Sequence, residues 1–108
     1  MNRRTSHRAK VDLLINRFLD GHPYMCRMTD ISSTGLRLVP LLEPKGAPRF
    51  MGLQFQLPGE DTVLVASAEA INENGSETGS PDQASLGVRF TSLPPECASM
   101  IQRFVQSA

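Results

Sequence analysis

From Met51 to Leu57 the chain alternates without a break: Met51, Leu53, Phe55 and Leu57 are apolar, while Gly52, Gln54 and Gln56 are not. A repeat of two sends successive side chains to opposite faces, so this stretch reads as a strand with one buried side and not as an amphipathic helix. Comparable segments recur at 11–19, 24–31, 36–39, 62–72 and 85–90, and with 49–57 they give six predicted strands. In 62–72, Val63 and Val65 share one face and Leu64, Ala66, Ala68 and Ala70 the other. In 85–90, Leu86, Val88 and Phe90 share the inward face.

The connections are short and built from turn residues. Asp20-Gly21 suits a tight hairpin between the first two strands, because glycine accepts positive φ without steric cost. Pro40 to Pro48 holds three prolines and a glycine and reads as a loop, and Pro58-Gly59-Glu60-Asp61 reads as a turn. Glu73 to Gln83 reads as a long exposed loop. After Pro94-Pro95, Cys97, Met100, Ile101, Phe104 and Val105 form an i, i+3, i+4 stripe, the mark of a helix that buries one side. Short strands that need their edges closed, followed by one helix, predict an all-β fold with a C-terminal helix: a six-stranded antiparallel β-barrel. The expected layout is a flexible basic N-terminal arm over residues 1–10, a barrel over 11–93 and a helix over 94–108 packing on the barrel.

A chain of 108 residues supports one domain, and 40% hydrophobic residues suffice for its core. No apolar run approaches the roughly 18–20 residues of a membrane span, and the basic start lacks the apolar stretch of a signal peptide. Cys26 and Cys97 stand far apart without a metal-ligand spacing, which points to buried thiols in a reducing cytoplasm. The expected location is therefore cytoplasmic. Net charge is zero but unevenly spread: Arg3, Arg4, Arg8 and Lys10 fall within the first ten residues, with no acid among them. Such a leader on a neutral body suits one localised anionic partner better than a long nucleic acid, while charge alone is better explained by a solvated tail.

Two polar clusters stand out against this frame. Arg4 and Arg8 form R-x-x-x-R, and Asp30, Ser32 and Gly35 form D-x-S-x-x-G. If the first two strands pair through Asp20-Gly21, the start of one lies beside the end of the other, and the clusters meet despite their separation in sequence. Arginine presents a planar fork that pairs with phosphate and with guanine O6 and N7, a carboxylate accepts from guanine N1–H and N2–H, and a serine hydroxyl reaches a phosphate or base edge. A glycine permits a backbone conformation or a close approach that a side chain would block. Taken alone, Asp-x-Ser in a turn is as well explained by a turn that stabilises its own backbone.

The paired motifs, with Leu57-Pro58-Gly59 and Gly87-Val88-Arg89-Phe90 before a proline-started helix, resemble the PilZ domain family over nearly the whole chain. The resemblance implies a non-catalytic receptor for the bacterial second messenger cyclic di-GMP, with ligand contacts at Arg4, Arg8, Asp30, Ser32 and Gly35. It further implies that the residue before the first motif, Arg3, influences whether one or two intercalated ligand molecules bind, a cation there favouring the pair. Gly87 and Arg89 on the last strand are secondary candidates. A domain of this kind without an attached output domain would relay its signal to a separate effector protein through rearrangement of the arm.

Two other readings compete. One is a PilZ-fold adaptor for protein interactions that binds no ligand. The other is a small barrel for nucleic acid, disfavoured by six aromatics, the absence of tryptophan and the confinement of basic charge to the arm. For an enzyme, His7 and His22 belong to no triad or metal-ligand spacing, and no G-x-S-x-G motif or phosphate-binding loop occurs.

Overall fold

The structure, a computed structural model, describes residues 8–73 and 85–108. Strands β1 (Arg8–Leu19), β2 (His22–Ser32), β3 (Gly35–Pro40), β4 (Phe50–Phe55), β5 (Leu64–Glu73) and β6 (Leu86–Ser92) precede helix α1 (Pro95–Ser107). The strands close a barrel in the order β1-β2-β3-β6-β5-β4, with every pairing antiparallel. Two three-stranded meanders are thus joined along two seams, β3–β6 and β1–β4. Both seams are short. The first pairs Gly35–Leu38 with Leu86–Arg89, the second Asn16–Phe18 with Gly52–Gln54.

The turns behave as their residues require. Leu19 pairs with His22, and Asp20 and Gly21 both take positive φ, at 52° and 83°. Two such residues in a two-residue loop make a type I′ hairpin, whose twist matches that of the flanking strands. At Leu57-Pro58-Gly59-Glu60, the Glu60 amide donates to the Leu57 carbonyl at 3.0 Å and Gly59 has φ +82°, the arrangement of a type II turn.

The alternation read from the sequence is the alternation of burial. Met51, Leu53 and Phe55 on β4 and Leu64, Ala66 and Ala68 on β5 point into the barrel, while Val63 and Val65 are exposed. Leu86 and Val88 are buried and Phe90 is partly so. On α1, Cys97, Ile101 and Val105 are buried and Met100 and Phe104 pack beside them. Pro94 occupies the N-cap and Pro95 the first turn. Both cysteines are free and buried. Among the described residues no helix is long and apolar enough to cross a membrane.

Two differences from the sequence reading bear on the site. Arg8, Ala9 and Lys10, assigned above to the arm, are the first residues of β1, because Ala9 is buried against the core and pairs with Ile31. The second concerns register. One extra residue, Thr29, bulges from β2 between Met28 and Asp30, so the inward alternation of Cys26 and Met28 resumes at Ile31 and Asp30 faces out. Most of the 73–83 loop, beyond Glu73, lies outside the described residues.

Ile101 is fully buried, and its loss would leave a void between helix and barrel. Ile101→Ala is expected to cost about 2–5 kcal/mol, read as a lower urea midpoint. The exposed neighbour Gln102→Ala should stay within about 0.5 kcal/mol of the parent.

Candidate ligand-binding site

The β1–β2 hairpin sets Arg8 opposite Ser32 and Lys10 opposite Asp30, so the start of β1 and the end of β2 share one rim of the barrel. There Arg8 Nη1 donates to Asp30 Oδ1 at 3.1 Å. The Arg8 side chain is about half exposed and the Asp30 carboxylate mostly covered. On its other side Asp30 pairs with Arg37 of β3, which in turn pairs with Gly87 of β6. The outward row across the sheet is therefore Lys10, Asp30, Arg37 and Gly87, with Arg8 reaching in along the rim. Three cations beside one carboxylate leave this surface with excess positive charge and spare N–H donors, a combination suited to an anion.

The remaining motif residues build the turn. The Ser32 hydroxyl is 1% exposed; it accepts from the Thr34 amide at 3.2 Å and donates to the Gly35 carbonyl at 3.3 Å. This is a serine turn satisfying its own backbone, the simpler of the two readings of Asp-x-Ser. Gly35 lies against β6. A Cβ there would stand 2.1 Å from the Val88 carbonyl oxygen and 3.1 Å from the Arg89 Cα. The close approach that glycine permits is that of the neighbouring strand. The Phe90 amide donates to the Thr34 carbonyl at 2.9 Å and fastens the turn to β6.

Of the secondary candidates, Gly87 lies in the outward row, and Arg89 pairs through its backbone with Gly35 while its guanidinium turns to Glu69 on β5, 2.5 Å from Oε1. Arg49 donates to the other oxygen of the same carboxylate at 2.9 Å. Arg3 and Arg4 lie outside the described residues.

The family model for the PilZ domain matches residues 2–107. The chain belongs to the PilZ domain family. No curated protein matches it by sequence. Among solved structures, the inhibitor of motility MotI/DgrA of Bacillus subtilis superposes with a TM-score of 0.80 at 13% identity, covering 99% of this chain and 51% of that one. The PilZ domain of YcgR from Escherichia coli, solved with c-di-GMP, gives 0.69 at 18% identity and covers 98% and 91% respectively. The PlzA protein of Borreliella burgdorferi, in complex with c-di-GMP, gives 0.65 at 14% identity and covers 96% and 41%. At these identities the superpositions show the fold. The chain spans about half of the Bacillus protein and less than half of the Borreliella one.

In this PilZ domain, Lys10 and Arg37 join the Asp30 row without belonging to either motif. Lys10 was visible as part of the basic leader; Arg37 could be found only by counting register through the Thr29 bulge. At the opposite rim the structure adds Arg17, 1% exposed inside the barrel and paired with Glu43 of the β3–β4 loop. A guanidinium in the barrel interior needs that partner. Cys26 lies close by, and burial pushes its thiol up to about 11, with Arg17 lowering it and Glu43 raising it in smaller measure. Among the described residues no cluster of three metal-ligating side chains occurs.

Gly35→Ala is expected to cost about 1–3 kcal/mol or more, because β3 and β6 must part to admit the methyl group; an unchanged urea midpoint would contradict this. The Cys26 thiol resists ionisation in the fold more than in the unfolded chain. Its contribution to stability is thus complete below about pH 9 and is lost as pH rises toward 11. Stability followed across that window should fall less steeply in Cys26→Ala than in the parent.

Proposed function

We propose that this PilZ domain is a non-catalytic cytoplasmic receptor that binds cyclic di-GMP on the outer surface around Asp30 and relays the signal to an effector protein. The observation that carries the reading is the Arg8–Asp30 contact at the rim, flanked in register by Lys10 and Arg37. A ligand with two phosphates and two guanines needs forked cations for phosphate or for O6 and N7, and a carboxylate for N1–H and N2–H; Arg8 and Asp30 supply one of each. Two of the structural relatives were solved with c-di-GMP, which supports the same reading.

Arg8 meets the ligand directly, and Asp30, freed from Arg8, accepts from a guanine. Ser32 and Gly35 hold the turn that aims Asp30 and keep β6 close, which sets Gly87 beside Arg37. Arg3 and Arg4 complete the cationic set from the arm, with Arg3 favouring an intercalated pair of ligands. The arm folds over the bound ligand, and its rearrangement is the signal that the effector reads.

Calorimetric titration of cyclic di-GMP into parent and Arg8→Ala tests the site. Losing one arginine–phosphate or arginine–guanine pair is expected to cost about 1–3 kcal/mol, roughly 5- to 150-fold in affinity. A stoichiometry near two supports the role given to Arg3. An Arg8→Ala protein that titrates like the parent refutes the assignment. Hydrogen exchange over residues 2–10 should slow at saturating ligand, and an unaltered exchange pattern there would exclude the relay through the arm.

A further inference from the structure

The outer face of β4, β5 and β6 carries a second surface beside the ligand site, the two meeting at Arg89. Backbone pairing sets Phe50, Glu69 and Arg89 in one row across the three strands. Phe50 points outward and is 61% exposed, with the Arg49 guanidinium 5.9 Å from the centre of its ring. Beside Phe50 the sheet opens into a dent of about 340 Å³. Gly52 forms its floor, Phe18 and Phe50 its walls, Ser67 and Thr91 its far side, and Asp20 one end. The floor is open because position 52 has no side chain; a Cβ there would make ordinary contact with the Phe18 Cβ at 3.6 Å and the Ala66 carbonyl oxygen at 4.0 Å.

The charges around the dent are ordered. Glu69 is 8% exposed because Arg49 and Arg89 lie over it, one on each carboxylate oxygen. Both arginine side chains remain more than half exposed. Two guanidiniums on one carboxylate leave a net positive charge at that end, with several N–H donors turned to solvent and held in place by the shared acid. Asp20 is the one charged residue lining the dent itself among the described residues; Arg49, Glu69 and Arg89 stand beside it, past Phe50. Aromatic walls with a fixed arginine on the rim are the composition from which the strongest points of protein interfaces are built.

We propose that this face docks a segment of a partner protein carrying one large apolar side chain next to a carboxylate. The apolar side chain enters the dent over Gly52, between Phe18 and Phe50, and the carboxylate pairs with Arg49 and Arg89. A second copy of this chain would bring its own Asp20, not an apolar side chain beside a carboxylate, toward the arginine pair, and the sedimentation measurement below separates that occupant from a partner segment. The proposal does not depend on the ligand reading, because the dent, Phe50 and Arg49 are separate from Arg8 and Asp30.

Selection of a random displayed-peptide library on the full chain, without nucleotide, tests this. The expected outcome is an enriched group of peptides bearing Asp or Glu beside Phe, Leu, Tyr or Trp. Their affinity should fall at least tenfold on Phe50→Ser and on Arg49→Ser, and should be unchanged on Leu41→Ser, an exposed apolar residue of the β3–β4 loop. Circular dichroism of the three variants checks that each is folded. No enriched group, enriched peptides without a carboxylate, or peptides that bind Phe50→Ser as tightly as the parent would each overturn the proposal. So would self-association in sedimentation that Phe50→Ser abolishes, which would assign the face to a second copy.

Discussion

Closure of the barrel rests on a backbone-to-backbone approach between β3 and β6 at Gly35. The seam is four residue pairs long, and among the described residues the two meanders are otherwise joined by strand pairing only through the three pairs of β1 and β4. At its first pair the Val88 carbonyl stands where a Cβ of residue 35 would have to be. The turn before it is drawn tight by Ser32 and tied to β6 through Thr34 and Phe90. A motif read first as a set of ligand contacts thus also performs a long-range structural task. The two uses are compatible: the residues that close the barrel fix the position of the carboxylate that faces out.

Asp30 owes its direction to the Thr29 bulge. Without the extra residue, the period of two would carry position 30 into the core beside Met28, where an unpaired carboxylate is costly. With it, Asp30 faces outward among Arg8, Lys10 and Arg37, and Ile31 takes the buried place. The pairing with Arg8 is half exposed and therefore contributes little to stability. That modest strength agrees with the proposal that a ligand takes the place of the contact. The more deeply buried pair, Arg17 with Glu43, sits at the opposite rim and ties the β3–β4 loop across the barrel interior.

The barrel was legible because its strands alternate so cleanly that period and turn chemistry agree, from Met51–Leu57 to the Asp20-Gly21 hairpin. The start of β1 was not, because Arg8-Ala9-Lys10 offers only one small apolar residue, and its burial depends on Ile31 across the hairpin. The candidate site was legible as two motifs and as their meeting at one rim. The burial of the Ser32 hydroxyl and the packing of Gly35 on Val88 were not, since both arise from partners that sequence spacing does not reveal. Arg37 was hidden by the bulge, which shifts the register by one residue. Glu69 shares the outward parity of Val65, and its burial comes from two arginines, Arg89 on β6 and Arg49 just before β4. Local pattern fixes which way a strand faces; contacts between strands decide what a charged residue does there.

The central claim is that an anionic guanine dinucleotide binds the outward row around Asp30. Chemical-shift mapping of the isotope-labelled domain during titration with cyclic di-GMP tests it most directly. The expected result is shifts concentrated at the amides of Arg8, Lys10, Asp30, Arg37 and Gly87, with little change at Gly52, Ser67 or Arg17. Shifts centred on Gly52 and Ser67, or on Arg17 at the opposite rim, would contradict it.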